Sequence, residues 1–405
     1  LEQFAGIPTF VAWFGLLLYS LIGQPQFALF AFFGAQLRQR LERSSGFQSL
    51  IWIGLGALTY TACDYILPKL FRDTLGHSWA SFTLLRLNAR LVGAYGLTFV
   101  ASFCNFALAW AFRLFLDRGE PSAWPAIKKS LPLLCASVLL IVLSMGYGGA
   151  TKSWLERKLQ SPEATIPLAV IQANIGDIEK IAAETGVRRA RQDVLRKFLE
   201  LSDEALSQTP KPQAVIWPET AYPTTFRTPD FTEDLALDQQ VENFSKARDV
   251  GIFFGGYDQS RSLRLDYNAL FFLGPNAETL QTYHKNRLLL FGEHLPFSDI
   301  FPSIKRWFPQ VGNFGRGLGP TAIAVPTQPI TRVAPAICYE VLFADDMIES
   351  QRALESYYTR RVAFLQATYN LHVAVAALSR DVPVVIPVAA VEQHGHHLPV
   401  VTDSL

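Results

Sequence analysis

Residues 331–343 read TRVAPAICYEVLF, an apolar run that closes on Cys338, Tyr339 and Glu340. The pattern is that of a buried strand with polar residues at its end. The cysteine has an ordinary reading as core, because free cysteine is among the most buried residue types. It has a chemical one as well, and a single cysteine does not choose between them. The choice falls to the rest of the chain.

Working outward, residues 165 onward have an α/β texture. IPLAVIQANI (166–175), QAVIWPET (213–220), VGIFFGGYD (250–258) and LDYNALFFLG (265–274) read as strands. In RRARQDVLRKFLELSDEALSQ (188–208), Val194, Leu195, Phe198, Leu199, Ala205 and Leu206 fall near helical spacing with charges opposite. Apolar strands that end in polar residues, separated by helices or long loops, make a layered sheet with its site at the strand ends.

Residues 1–149 have a different texture. The runs 6–23, 25–35, 50–68, 91–116 and 131–149 are apolar, with the single acid Asp64 inside the third, and they read as membrane spans. Thirty Phe and eight Trp suit such a protein, and the low share of charged residues, 18%, agrees. The basic loops QLRQRLERSSG (36–46) and RLFLDRGEPSAWPAIKKS (113–130) belong on the cytoplasmic side, which puts residues 150–405 outside. The intervening loop 68–90 is also basic, with Lys69, Arg72, Arg86 and Arg90, so the charge rule is met only in part. A net charge of +1 gives no support to nucleic-acid binding. Cys63, Cys104 and Cys135 lie inside apolar runs and only Cys338 lies outside, which argues against a disulfide framework. The chain opens at Leu1 without a basic leader, and its start reads as a truncated membrane domain, not a signal peptide.

Three strand ends carry one ionisable residue each: Glu219 in VIWPETAYP, Lys285 in YHKNRLLLFGEHLPF and Cys338 in APAICYE. A cysteine nucleophile needs a base, because the free thiol is only slightly ionised at neutral pH. A buried glutamate supplies one. A lysine and the amide following the cysteine, on Tyr339, would hold a developing oxyanion. Taken singly, Pro218 could end a strand before an exposed acid and Lys285 could be solvated.

The order Glu219, Lys285, Cys338 resembles the nitrilase (carbon–nitrogen hydrolase) superfamily. More narrowly, a multi-span helical domain followed by WPET, HKNRLLLFGEHLPF and ICYE resembles the bacterial apolipoprotein N-acyltransferase family. The resemblance covers about residues 1–343 and includes YGLTFV (95–100) and VIQANI (170–175). It implies a helical membrane domain at 1–149 and an α/β αββα sandwich at 150–345 that is truncated on its C-terminal side. It implies transfer of a phospholipid acyl chain, through a Cys338 thioester, to the α-amino group of a lipoprotein's diacylglyceryl-cysteine. Glu219 would be the general base and Lys285 the oxyanion-stabilising lysine, with Glu293, Tyr339 and Glu340 in support. No cofactor is implied. The partners are the phospholipid donor, the apolipoprotein acceptor and the membrane, and the site would lie on the periplasmic side of the inner membrane.

The tail, 346–405, departs from this. VPVVIPVAAVEQHGHHLPVVTD (382–403) resembles the start of the creatininase family, in which Glu392, His394 and Asp403 would ligate Zn²⁺ or Mn²⁺. A solvated His-rich loop is the plain alternative. Met347 then marks a junction, and the chain reads as an acyltransferase, a tethered metal amidohydrolase, or an inactive fused remnant.

Overall fold

A computed structural model describes residues 9–22, 24–44, 46–67, 69, 72–116, 124–160, 166–227, 234–260, 265–306, 311–326, 331–355 and 384–388. The chain divides into two compact units, Leu1–Lys158 and Leu159–Leu405.

The first unit is helical: α1 (Thr9–Ile22), α2 (Pro25–Glu42), α3 (Gly46–Ile66), α4 (Thr83–Arg86), α5 (Ala89–Leu116) and α6 (Trp124–Gln160). Proline opens α2, where its missing N–H costs nothing. Gly93, at φ +66, puts a kink inside α5. Leu41, Ile53, Ala57, Phe103, Ala107, Trp110 and Leu133 form the core. At Gly148 a Cβ would lie 1.8 Å from the Leu84 carbonyl oxygen, so only glycine lets these segments approach. Asp64 and Lys69 form a buried ion pair at 2.9 Å, and the ammonium also donates to the Asp73 carbonyl.

Among the described residues two helices, Ala89–Leu116 and Ala126–Gln160, are long and apolar enough to cross a membrane. At 1.5 Å per residue the part of the shorter one beyond the Gly93 kink, 94–116, spans roughly 35 Å, still enough for the hydrocarbon core. The apolar runs nearer the N-terminus also form helices, α1 to α3. Phe10, Trp13 and Phe14 on α1 and Val138, Leu139, Val142 and Leu143 on α6 are exposed.

The second unit holds two sheets. The first has strand order β1 (Leu168–Val170), β2 (Ala214–Ile216), β3 (Gly251–Ser260), β4 (Leu265–Leu273) and β5 (Leu280–His284). β1, β2 and β3 are parallel neighbours, and β4 and β5 continue antiparallel. Parallel pairing needs crossovers. Helices α7 (Asp177–Glu184) and α8 (Arg188–Leu206) make the first, and α9 (Leu235–Arg248) the second. The other sheet is β6 (Ile323–Val325), β7 (Thr331–Ile337) and β8 (Val384–Val388), with β6 antiparallel and β8 parallel to β7.

Alternation along the strands builds the layers. Ile252, Phe254, Phe271 and Leu273 pack with Val194, Leu195 and Phe198 of α8 and Leu237 and Val241 of α9. The intervening Phe253, Leu270 and Phe272 face the other way, against Ile323, Val325, Val333 and Ile337. Helix α10 (Ala344–Glu355) contacts β7. Both faces of β3 and β4 are therefore buried, which is why they read as continuous apolar runs. The tail supplies β8. Glu392, His394 and Asp403 lie outside the described residues.

Candidate active site

Glu219 follows β2 after Trp217 and Pro218. The Trp217 indole donates to Ser202 Oγ at 2.9 Å, and the Gly255 amide donates to the Pro218 carbonyl at 3.2 Å. Thr220 sits at φ +49, which turns the chain sharply behind the glutamate. Lys285 directly follows β5. Its amide donates to the Asn268 carbonyl at 2.9 Å, its carbonyl accepts the Gly317 amide at 2.9 Å, and only 2% of the residue is exposed. Cys338 follows β7 at φ +55, opening a 3₁₀ turn, Cys338–Leu342. A left-handed non-glycine residue is costly, and such strain gathers at functional positions.

These strand ends converge. Lys285 Nζ lies 2.9 Å from Glu293 Oε1 and 3.4 Å from Glu219 Oε1. Asn268 Nδ2 donates to both of those oxygens, at 2.7 Å to Glu219 and 2.8 Å to Glu293. Glu293 Oε2 accepts the Leu289 amide at 2.8 Å, which fixes its carboxylate. The Tyr339 hydroxyl donates to the Leu288 carbonyl at 2.6 Å, and its ring centroid lies 5.6 Å from Lys285 Nζ.

Electrostatics follow from burial and this pairing. Burial pulls the Lys285 ammonium down, but Glu219, Glu293 and Cys338 outweigh it, and the lysine ends above its ordinary value. Burial pushes the Cys338 thiol up to about 12; the Glu219 charge adds to this and Lys285 opposes it. The resting site is thus an ammonium between carboxylates beside a neutral thiol. Burial also pushes Glu340 up, against the pull of the groups that donate to it. Those are the amides of Ile337 (2.7 Å), Asn286 (2.7 Å) and Arg287 (3.0 Å) and the Tyr283 hydroxyl (3.0 Å).

All six residues singled out around the three strand ends, Glu219, Lys285, Glu293, Cys338, Tyr339 and Glu340, lie in this one region. Sequence reasoning missed Asn268, whose only signal is a polar residue inside the apolar strand YNALFF. It missed Tyr283 and the Arg287–Asp346 pair (2.6 Å) as well. Among the described residues no group of three or more His, Cys, Asp or Glu side chains is arranged to hold a metal ion.

The second unit thus gathers a cysteine, a lysine and glutamates at the strand ends of two sheets. The chain belongs to the carbon–nitrogen hydrolase family, whose pattern matches residues 167–402. Among named relatives it is 32% identical over 358 residues to the apolipoprotein N-acyltransferase of Bdellovibrio bacteriovorus, covering 84% of this chain and 60% of that one. It is 26% identical over 374 residues to the apolipoprotein N-acyltransferase of Ralstonia nicotianae, covering 88% and 61%. The chain therefore spans about three-fifths of the length of these relatives. Among solved structures it is similar to an amidase from Nesterenkonia sp. AN1, 12% identical with a TM-score of 0.35, covering 57% of this chain and 68% of that one.

Proposed function

We propose that the chain is the membrane and catalytic part of an apolipoprotein N-acyltransferase, with Glu219, Lys285 and Cys338 as its catalytic residues. The observation that carries this reading is the buried Lys285 ammonium, 2.9 Å from Glu293 and 3.4 Å from Glu219, beside Cys338. Its similarity to named N-acyltransferases points the same chemistry at a lipid ester.

The neutral thiol requires base-assisted attack. Glu219 takes the thiol proton as the Cys338 sulfur–carbon bond forms at the phospholipid ester carbonyl. The oxyanion is held by the Lys285 ammonium and the Tyr339 amide. Collapse breaks the ester carbon–oxygen bond, Glu219 returns its proton to the leaving oxygen, and lysophospholipid departs. The acceptor's α-amino group then attacks the thioester; its proton passes by way of Glu219 to the departing Cys338 sulfur, and the amide forms. Glu293 keeps Lys285 charged throughout, and no step calls for a cofactor.

A lipid substrate has further support. Phe291, Phe297, Ile300 and Phe301, in the segment around Glu293, are all more than half exposed, a surface suited to acyl chains. In the first unit, apolar side chains facing outward on α1 and α6 fit a hydrocarbon surrounding. We place residues 150–405 on the periplasmic side of the inner membrane, from the basic residues at 36–46 and 113–130.

The test is transfer of label from acyl-labelled phospholipid to the protein. Hydroxylamine-sensitive label on Cys338, absent from Cys338→Ser, is the expected result. Label that persists in the serine variant would remove Cys338 as the nucleophile and overturn the reading.

A further inference from the structure

Two glutamate carboxyl groups share one ammonium in this site. Like charges held this close repel strongly where water is scarce. Lys285 alone does not account for the arrangement, because its contact with Glu219 is long, 3.4 Å, against 2.9 Å to Glu293. The shorter bond on Glu219 comes from Asn268, at 2.7 Å, and the same amide nitrogen donates to Glu293 at 2.8 Å.

Asn268 is only 3% exposed, and its Oδ1 is buried with no hydrogen-bond partner. A buried acceptor left unsatisfied is unfavourable. Reversing the amide would aim that oxygen at two carboxylates, which is worse, so the donors dictate the orientation. Both protons of one NH₂ group are used, one on each carboxylate. Aspartate and serine cannot supply that pair uncharged, and glutamine is a methylene too long for the same backbone position. The Asn268 carbonyl, moreover, accepts the Lys285 amide at 2.9 Å, so one residue sets the lysine's backbone and both of its counterions.

We propose that Asn268 is a positioning residue of this site, its amide holding Glu219 and Glu293 together on Lys285 so that Glu219 is kept in place to take the thiol proton. The inference rests on the function proposed above and deepens it. Both hydrogen bonds to Glu219 fall on Oε1, which leaves Oε2 for the proton. Among the described residues, the titratable groups that face the two carboxylates besides Lys285 include Cys338, Tyr257 and Tyr339.

The experiment compares Asn268→Ala and Asn268→Asp with the unsubstituted protein. Acylation of Cys338 from phospholipid should slow by about 100-fold, the scale of a lost general base. The KM for phospholipid should stay within about threefold, because no substrate contact is removed. The acid limb of the pH–rate profile should move to higher pH, since a carboxylate deprived of a donor, or given a third carboxylate as neighbour, protonates more readily. The lipid-free readout is the infrared band of protonated carboxyl groups. Its component removed by Glu219→Gln or Glu293→Gln should titrate at higher pH in both variants. If the acid limb and this band stay where they are in the unsubstituted protein, the proposal fails, whatever happens to rate or melting temperature. If phospholipid acylates nothing, the functional reading fails, and the infrared titration still decides the role of Asn268. Should neither variant fold, Asn268→Ser, which keeps one donor, is read on the same scales.

Discussion

The carboxylate of Glu340 accepts the backbone N–H of Asn286 at 2.7 Å, which ties the turn after Cys338 to the turn after Lys285. The strands that deliver those two residues belong to different sheets, so nothing in sheet pairing fixes one against the other. Glu340 does so, and its two oxygens also take Ile337, Arg287 and Tyr283. Its acceptors thus join the two turns directly.

Glu340→Ala should therefore leave buried amides without an acceptor, and the protein should lose about 3 kcal/mol of stability or more. Glu340→Gln keeps the shape but turns one acceptor into a donor facing donors, and should cost nearly as much. Thermal unfolding of both variants checks this. A glutamine variant that melts with the unsubstituted protein would show that charge and acceptor count do not matter at this position.

The Cys338 thiol, held up to about 12, gives a pH prediction whose sign can be worked out. The folded state favours the protonated thiol, while an unfolded cysteine ionises near 8.5. The thiol's contribution to stability is thus fully present below about 8.5. It is lost as pH rises from there towards the folded value of about 12. Melting temperature should fall over that window more steeply in the unsubstituted protein than in Cys338→Ser. Iodoacetamide should label the lipid-free protein slowly at neutral pH. Because the Glu219 charge helps raise the thiol, Glu219→Gln should bring the labelling midpoint down while abolishing acylation. Rapid labelling of the unsubstituted protein at pH 7 would instead indicate a preformed thiolate–ammonium pair.

Lys285→Met should cost acylation about a thousandfold, the upper range for loss of an oxyanion donor. It should also destabilise the protein by about 3–5 kcal/mol, because Glu219 and Glu293 are left buried without their cation. Adding Glu293→Gln removes one of those charges. The double variant should recover part of the stability and none of the activity, and denaturant melts beside acylation rates separate the two. Recovery of neither would mean that the lysine is held by packing alone.

How much of this was legible in the sequence depended on burial. β3 and β4 were plain because both faces are covered, so GIFFGG and ALFFL run apolar without a break. β5, LQTYH, lies at the edge of its sheet, where alternation with polar residues leaves no apolar run to notice. β6 is as short as β1 and β2, but it lies between Pro320 and Pro326 and lacks the polar strand end that marked those two. At the site, Glu219, Lys285 and Cys338 stood out because each ends a strand with an ionisable group. Asn268 did not, because a lone asparagine within a strand carries no periodic signal and acts only through partners 49 and 25 residues away. The left-handed turn at Cys338 was equally silent, since nothing in ICYE marks the positive φ.

The last prediction concerns a residue with no side chain. A Cβ built on Gly255 of β3 would lie 2.6 Å from Glu219 Cα, 2.7 Å from the Thr220 nitrogen and 2.8 Å from the Pro218 oxygen. All three are backbone atoms, so no side-chain rotation relieves the contact, and the turn carrying Glu219 must move off the sheet. The glycine is thus what lets the glutamate sit low enough to meet Lys285 and Asn268. Gly255→Ala should destabilise the protein by about 1–3 kcal/mol, the usual scale of overpacking. Acylation should fall much further, by about 100-fold, because a displacement near 1 Å is enough to spoil a catalytic alignment. Gly149→Ala is the control, since a Cβ there meets nothing within 4 Å. It should leave acylation unchanged and stability unchanged or slightly raised, since alanine is the better helix former. The two effects are separated by measuring acylation at a temperature where melts show Gly255→Ala fully folded. A folded Gly255→Ala protein that acylates at the unsubstituted rate would show that Glu219 does not depend on its close approach to β3.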